Sequence, residues 1–391
     1  MNKFNLNIIV LALSIRFNYA QISRLPVFIS GTEGHKTYRI PALITTPAGT
    51  LLAFCEGRVS GSGDFGDINI VLKRSTDGGS SWKSMQTLVD YDKLQAGNPA
   101  PVIDRTDPRY PHGRIFLFYN TGNNHEGEVR KGNGLREVWY KTSIDEGLTW
   151  SDAVNITTQT HHPYQPNANP AYTDREDWRS YANTPGHALQ ILSGKYKGRL
   201  YIAANHSAGN PLPKFEDYHA HGYYSDDHGL TFHLSETIGI PGSNEATAAE
   251  LSEGGLMINA RNQQGDIRSR IIAISNNGGQ SWARSYFDHQ LPDPVCEGSL
   301  LNIGIKHRKH ILAFTNAANT RRRDSLSLRI SMDEGVTWNK KLLLDAAPDV
   351  TSEDFTAYSD IVLLDKKHLG VLYERAGYAQ IVFTVINWKK M

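Results

Sequence analysis

The stretch STDGGSSW, Ser75 to Trp82, returns four times along the chain in altered form: SIDEGLTW at 143–150, SDDHGLTF at 225–232, SNNGGQSW at 275–282 and SMDEGVTW at 331–338. An aspartate at a fixed offset from a glycine is turn chemistry, because the carboxylate accepts backbone N–H bonds and the glycine takes a positive φ. Each box therefore reads as the tip of a β-hairpin, with its terminal Trp or Phe packed beneath as an anchor. The fourth copy carries Asn277 where the others carry aspartate. A turn tolerates that exchange and a catalytic carboxylate does not, so the boxes read as structural.

A second repeat runs in step with the first. GTLLAFCEGR (49–58), GRIFLFYN (113–120), GRLYIAAN (198–205), GLMINARN (255–262), KHILAFTN (309–316) and HLGVLYER (368–375) are apolar strands that start at a turn and end on a polar residue. Five of them are followed by another apolar stretch, such as INIVLKRS, that runs into a box. Successive boxes start 50 to 82 residues apart, the period of one small sheet per repeat in a closed array. After the sixth strand only AQIVFTVINW remains, so that sheet lacks an outer strand, which SRLPVFIS (23–30) at the other end of the chain supplies. Closing the ring in this way leaves no exposed edge. The expected fold is all-β: a six-bladed β-propeller with Asp-box hairpins and no long amphipathic helix. The segment 158–184, rich in Pro, Asn and aromatics, departs from the repeat and reads as a partly ordered border of a functional site.

Composition narrows the function. The chain has 391 residues, 39% of them hydrophobic, which is enough for one large repeat-built domain. Its 41 basic and 40 acidic residues leave a net charge of +1, so no global field draws nucleic acid or an anionic membrane, and recognition of an anion has to be local. Two cysteines, Cys55 and Cys296, rule out a disulfide framework; a single bridge between them stays open, and two buried thiols are the expected state. No His/Cys/Asp cluster has metal-ligand spacing and no phosphate loop is present, so neither metal nor cofactor is expected. Residues 1–20, with Lys3 before an apolar run from Leu6 to Ile15 and Ala20 at the end, read as a signal peptide. The run is too short to span a bilayer, which makes residues 21–391 the mature, exported domain. Nothing in the sequence indicates an oligomeric state.

Aligning the repeats gathers polar residues at one end of the ring. At or past the ends of the strand copies stand Arg58 and Asp64 (first), Arg261 (fourth), Arg323 (fifth) and Glu374 (sixth). Just before copies one, four and six lie Arg39, Glu245 and Tyr358. Several arginines converging on one axis need an anion between them, and planar guanidinium groups match a carboxylate or phosphate. Tyr358 also reads as a core aromatic, Asp64 as a turn former, and His187 and His206 as structural histidines bordering the site.

These segments resemble the exo-α-sialidases. YRIPALI (38–44) is similar to that family's Arg-Ile-Pro motif. NEATAAELSEGGLMINARN (244–262) is similar to its glutamate and second arginine, RDSLSLRISMDEGVTW (323–338) to its third arginine, and YSDIVLLDKKHLGVLYE (358–374) to its tyrosine. TPGHALQ (184–190) is a further shared signature, and the resemblance runs from about Arg24 to Trp388. It implies a six-bladed catalytic domain over 21–391, a retaining hydrolase that releases terminal α-linked sialic acid from glycoproteins, glycolipids and oligosaccharides. Sialic acid carries a carboxylate on its anomeric carbon, so a neutral phenol serves better as nucleophile than an anionic side chain. The resemblance makes Tyr358 the nucleophile, Glu245 its base and Asp64 the acid, with Asp67 the alternative. Arg39, Arg261 and Arg323 (or its neighbour Arg322) clamp the carboxylate, Arg58 binds substrate, and Glu374 orients Arg39. Transfer to another acceptor, transfer within the substrate, and binding without catalysis are the other readings that this site allows.

Overall fold

The apolar strand repeated in the sequence is the second strand of each antiparallel set, and the strand before it faces the centre. In a computed structural model the chain is described over residues 22–349 and 354–391; the expected leader at 1–20 lies outside the described residues. The inner strands are Thr37–Thr45, Gln95–Asp104, Trp178–Asn183 with Leu189–Gln190, Ser243–Glu250, Gly298–Lys306 and Thr356–Leu363. Among the described residues helices are confined to single turns such as Glu126–Arg130 and Thr157–Thr160.

The arrangement is all-β and propeller-like, but its hydrogen bonding does not draw six separate blades. Among the described residues four sheets stand by themselves, three of four strands and one of five, while the strands between Thr37 and Asn155 form one eight-stranded sheet. The physical reason is a single parallel pairing, Ile68 with Gln95, in which Ile68 N–H donates to Leu94 C=O at 3.2 Å. The closure expected from the termini is present: Leu25–Ile29 pairs antiparallel with Gln380–Asn387 and completes the last four-stranded sheet. Phe383, opposite Leu25, is buried together with Phe28 and Leu372.

The boxes are turns, and they do more than cap their own hairpins. In every copy the first serine's Oγ accepts the glycine N–H four residues on, over 2.7–3.0 Å. The aspartate Oδ1 accepts the next Ser or Thr N–H at 2.9 Å in four copies. Asn277 Oδ1 takes the same bond at 3.0 Å, and its Nδ2 donates to Ser281 Oγ at 2.8 Å where Asp77 accepts from Ser81 Oγ. Reversing one donor keeps the geometry intact. The anchoring aromatic reaches a neighbouring strand set: Trp82 packs edge-on to Phe383 and Phe232 edge-on to Phe118. Gly229, at φ 79°, would place a Cβ 2.6 Å from Phe116, so the backbone itself lies against the adjacent strands. Each box is a wedge between successive sheets, which accounts for its return along the ring.

Gly229→Ala combines left-handed strain with overpacking and should lower unfolding free energy by about 2–5 kcal/mol in chemical denaturation. Asn277→Asp should stay within about 0.5 kcal/mol, because Ser281 Oγ can turn to donate as Ser81 does.

Candidate active site

The inner strands do not run straight into the site. Pairing with the second strand slips between Arg39 and Ala42, Gly97 and Ala100, Ser243 and Ala246, and Thr356 and Ser359. A bulge adds a residue and re-aims its side chain. Arg39, Asn98, Glu245 and Tyr358 all lie within these bulges and all line one cavity. Two bulges hold non-glycine residues at positive φ, Ile40 at 59° and Asn98 at 54°, each followed by a proline that has no N–H to leave unpaired.

The geometry starts from Glu374, which is 1% exposed. It accepts Arg39 Nε at 2.7 Å and Nη2 at 3.3 Å, Ile40 N–H at 2.9 Å and Tyr358 N–H at 3.1 Å. One carboxylate thus orients a guanidinium and pins the two strands that carry Arg39 and Tyr358. Burial works against the charge of Arg39, but Glu374 outweighs it and raises the pKa above its ordinary value. Tyr378 covers the other face, its ring centroid 4.1 Å from the guanidinium carbon.

Tyr358 Oη donates to Glu245, whose oxygens stand 2.6 and 2.8 Å away, and accepts Arg261 Nη1 at 2.9 Å. Arg261 Nη1 also reaches Glu245 Oε2 at 2.5 Å, while its buried Nε has no partner among the described residues. Burial pushes the Tyr358 phenol well above its ordinary pKa and Glu245 pushes the same way; Arg261 and Arg323 oppose them only in part. The phenol is therefore neutral near pH 7.

The two open choices are separated by position. Arg323 lines the cavity and lies 5.4 Å from the Tyr358 ring centroid, its Nη1 donating to Tyr378 Oη at 3.3 Å. Arg322 pairs with Asp324 at 3.0 Å away from the cavity wall. Asp64 lines the cavity at its exposed rim, whereas Asp67 faces a separate recess beside it. Desolvation pushes the Asp64 carboxyl up, but Arg58 at 2.7 Å and then Arg39 at 3.9 Å hold it below the usual carboxylate range. Arg58 is fully engaged: it donates to Glu56 at 2.7 and 3.0 Å and to the 62–64 turn that carries Asp64.

His187 and His206 stand elsewhere. His187 is bonded to Asp360 at 2.6 Å and lines an apolar cavity at the opposite end of the inner strands. His206 stacks on Trp178 and meets His221 at 3.1 Å. Cys55 and Cys296 are buried free thiols. The 158–184 segment does border the site, through Ser180, Tyr181 and Ala182.

Comparison with known proteins follows this geometry. The BNR repeat-like domain matches residues 49–372. The chain belongs to that family. Within it, the chain is 31% identical to a sialidase of Micromonospora viridifaciens over 364 residues, covering 88% of this chain and 51% of that protein. It is 28% identical to a sialidase of Bacteroides fragilis strain YCH46, covering 92% and 64%. The solved structure of the Hadza microbial sialidase Hz136 superposes with a TM-score of 0.78 at 26% identity, covering 94% of this chain and 69% of that one. The chain spans about half to two thirds of the length of the two curated relatives.

Several lining residues of this BNR repeat-like domain have no counterpart in the sequence reading: Glu56, Gln95, Asn98, Glu126, Arg136 and Gln263. Asn98 had a signal, since NPAPVI at 98–103 echoes IPALI at 40–44. Tyr378 had none, because it reaches Arg39 from a turn between strands.

Glu374→Ala strands a buried guanidinium and two backbone donors, and should cost about 3–5 kcal/mol of stability in denaturant titration. Glu374→Gln keeps the shape but not the charge and should cost less.

Proposed function

We propose that this chain is a retaining exo-α-sialidase that releases terminal α-linked sialic acid from glycoconjugates through a tyrosyl intermediate. The observation that carries the reading is Tyr358 Oη held at once by Glu245 and Arg261 on the wall of a cavity that Arg39 and Arg323 also line. The sialidases among its relatives support it. In this reading the two sequence sets joined through Ile68 and Gln95 act as separate blades, which makes the ring six-bladed.

The chemistry follows from charge. Arg39, Arg261 and Arg323 take the substrate carboxylate, and charge-assisted bonds in a desolvated pocket hold it firmly. A neutral phenol does not repel that carboxylate as an aspartate would. As Tyr358 Oη attacks the anomeric carbon, Glu245 accepts its proton, so the oxygen is nucleophilic only when the new bond forms. In the same step Asp64 protonates the departing glycosidic oxygen; in the second step Asp64 removes a proton from the water that attacks the anomeric carbon, the tyrosyl C–O bond breaks, and Glu245 returns its proton to Tyr358 Oη. In the resting site Asp64 is ionised at neutral pH, since Arg58 and Arg39 favour the charged form. The acid role requires a proton, so turnover of glycans should rise as pH falls below neutral.

A fluorinated sialosyl fluoride slows the second step and should leave a covalent adduct on Tyr358, located by mass spectrometry of a peptic digest. An adduct on Glu245 would overturn the assignment. Asp64→Ala should lose at least about 100-fold more kcat/KM on a natural glycan than on an aryl sialoside with a good leaving group, and should lose the rise on the acid side. Arg261→Ala should remove measurable turnover and leave a cooperatively folded β protein.

A further inference from the structure

Arg136 opens the strand Arg136–Ser143 and lines the same cavity as Tyr358, yet nothing in the scheme above uses it. It is only 5% exposed. Its Nη1 is closed off from solvent without a hydrogen-bond partner, and the side chain makes no ion pair among the described residues. A buried guanidinium left in this state is costly, and proteins ordinarily pair it or replace it.

The surroundings keep it unpaired. Glu126 is taken by Tyr218 Oη and by Ser180 Oγ at 3.3 Å. Glu56 is taken by Arg58 and by Asn98 N–H at 2.9 Å. Burial pulls the pKa of Arg136 down, and Glu126, Tyr218 and Glu56 restore it only in part. The backbone also makes room for it. Gly122 sits directly opposite in the ladder, and a Cβ there would stand 1.5 Å from Arg136 Nη1. The same point is 3.1 Å from Gln95 Oε1, a buried acceptor that likewise has no donor. A strong donor and an acceptor thus stand side by side, both unanswered by the protein. Both belong to the second strand set, whereas Arg323 and Tyr358 come from the fifth and sixth.

We infer that Arg136 is a specificity-determining residue: when sugar binds, its guanidinium turns from the closed-off position beside Gly122 toward the cavity that it lines and donates to a neutral oxygen of the sugar, and the Gln95 amide so freed accepts from a donor on the same group. This rests on the sialidase reading and deepens it. The group must carry an acceptor and a donor together, which on a sialic acid is either the amide of the N-acyl substituent or a hydroxyl of the glyceryl side chain. The carboxylate is excluded, because Arg39, Arg261 and Arg323 already answer it.

The test compares three aryl α-glycosides: N-acetylneuraminic acid, an analogue with hydroxyl in place of the N-acyl group, and an analogue truncated of its glyceryl chain beyond C7. Turnover of the first by the unaltered protein tests the sialidase reading itself, so its failure is recognised separately. Arg136→Met should lower kcat/KM on the full substrate by about 10- to 100-fold, the loss of one charge-assisted bond. The loss should shrink to within about 3-fold on whichever analogue lacks the group that Arg136 contacts, which also identifies that group. The melting temperature should hold or rise, because an unpaired buried charge has gone. Gly122→Ala should reproduce the same substrate pattern by displacing the guanidinium. If the methionine variant does not fold, Arg136→Lys carries the comparison, since it keeps the charge but not the fork. An equal loss on all three substrates, or no loss on the full one, overturns the inference.

Discussion

A single buried carboxylate near the centre of the ring holds the inner strands in register. Asp360 is fully buried and accepts Leu43 N–H at 2.7 Å, His187 N–H at 2.9 Å, His187 Nδ1 at 2.6 Å and Ser299 Oγ at 2.6 Å. These partners come from three strand sets besides the one that carries Asp360. Burial alone would lower the pKa of His187, but Asp360 outweighs it and raises it, so the pair shares charge in a dry interior. Taking a carboxylate out of water is expensive, and it persists here because every partner is in place. Glu374 does the same work nearer the cavity, where it joins Arg39, Ile40 and Tyr358. With the strands locked at these two levels, a bulge near the cavity end can re-aim a side chain without letting the strand slip.

The cavity above is arranged against its own stability. Three guanidinium groups converge on a phenol, Arg261 Nε and Arg136 Nη1 have no partners among the described residues, and Ile40 sits at positive φ. Such features are costly in isolation and cluster where a ligand completes them. The carboxylates present are divided between two tasks: Glu374 and Glu56 are buried and consumed by guanidinium groups, while Glu245 faces the phenol and Asp64 stands at the rim. That division, set by burial and partners, gives carboxylates of similar ordinary acidity different surroundings within one site.

Rigidity comes from the other end of the sheets. The boxes place a glycine backbone and an aromatic ring against adjacent strands, as Gly229 and Phe232 do against Phe116 and Phe118. Their aspartates are spent on backbone and hydroxyl donors within the turn, and none lines the cavity. Structural repetition and chemistry are therefore separated along the five sets that carry a box: similar wedges at one end, different polar residues at the other.

How much of this the chain itself dictates can be read from particular residues. Period, turn chemistry and alternation are local properties, so the strands, the boxes, the closure by residues 23–30 and the tolerance for Asn277 were all legible from spacing alone. The arginines, glutamate and tyrosine were legible as a group because they stand just before or near the ends of the repeated strands, and their order along the chain resembles that of the exo-α-sialidases. Other features required contacts between residues far apart in sequence. The pairing of Ile68 with Gln95 fuses two strand sets because a loop happens to bring them together, and no pattern announces it. The choice of Arg323 over Arg322 depends on which of two adjacent side chains the turn directs inward. Arg136, ten residues past Glu126 in an ordinary-looking strand, becomes distinctive only when Gly122 clears space for it and its neighbours are found committed elsewhere. Sequence determines what each segment forms and which chemistry is available; the fold decides which polar groups are left without a partner, because that depends on every neighbour at once.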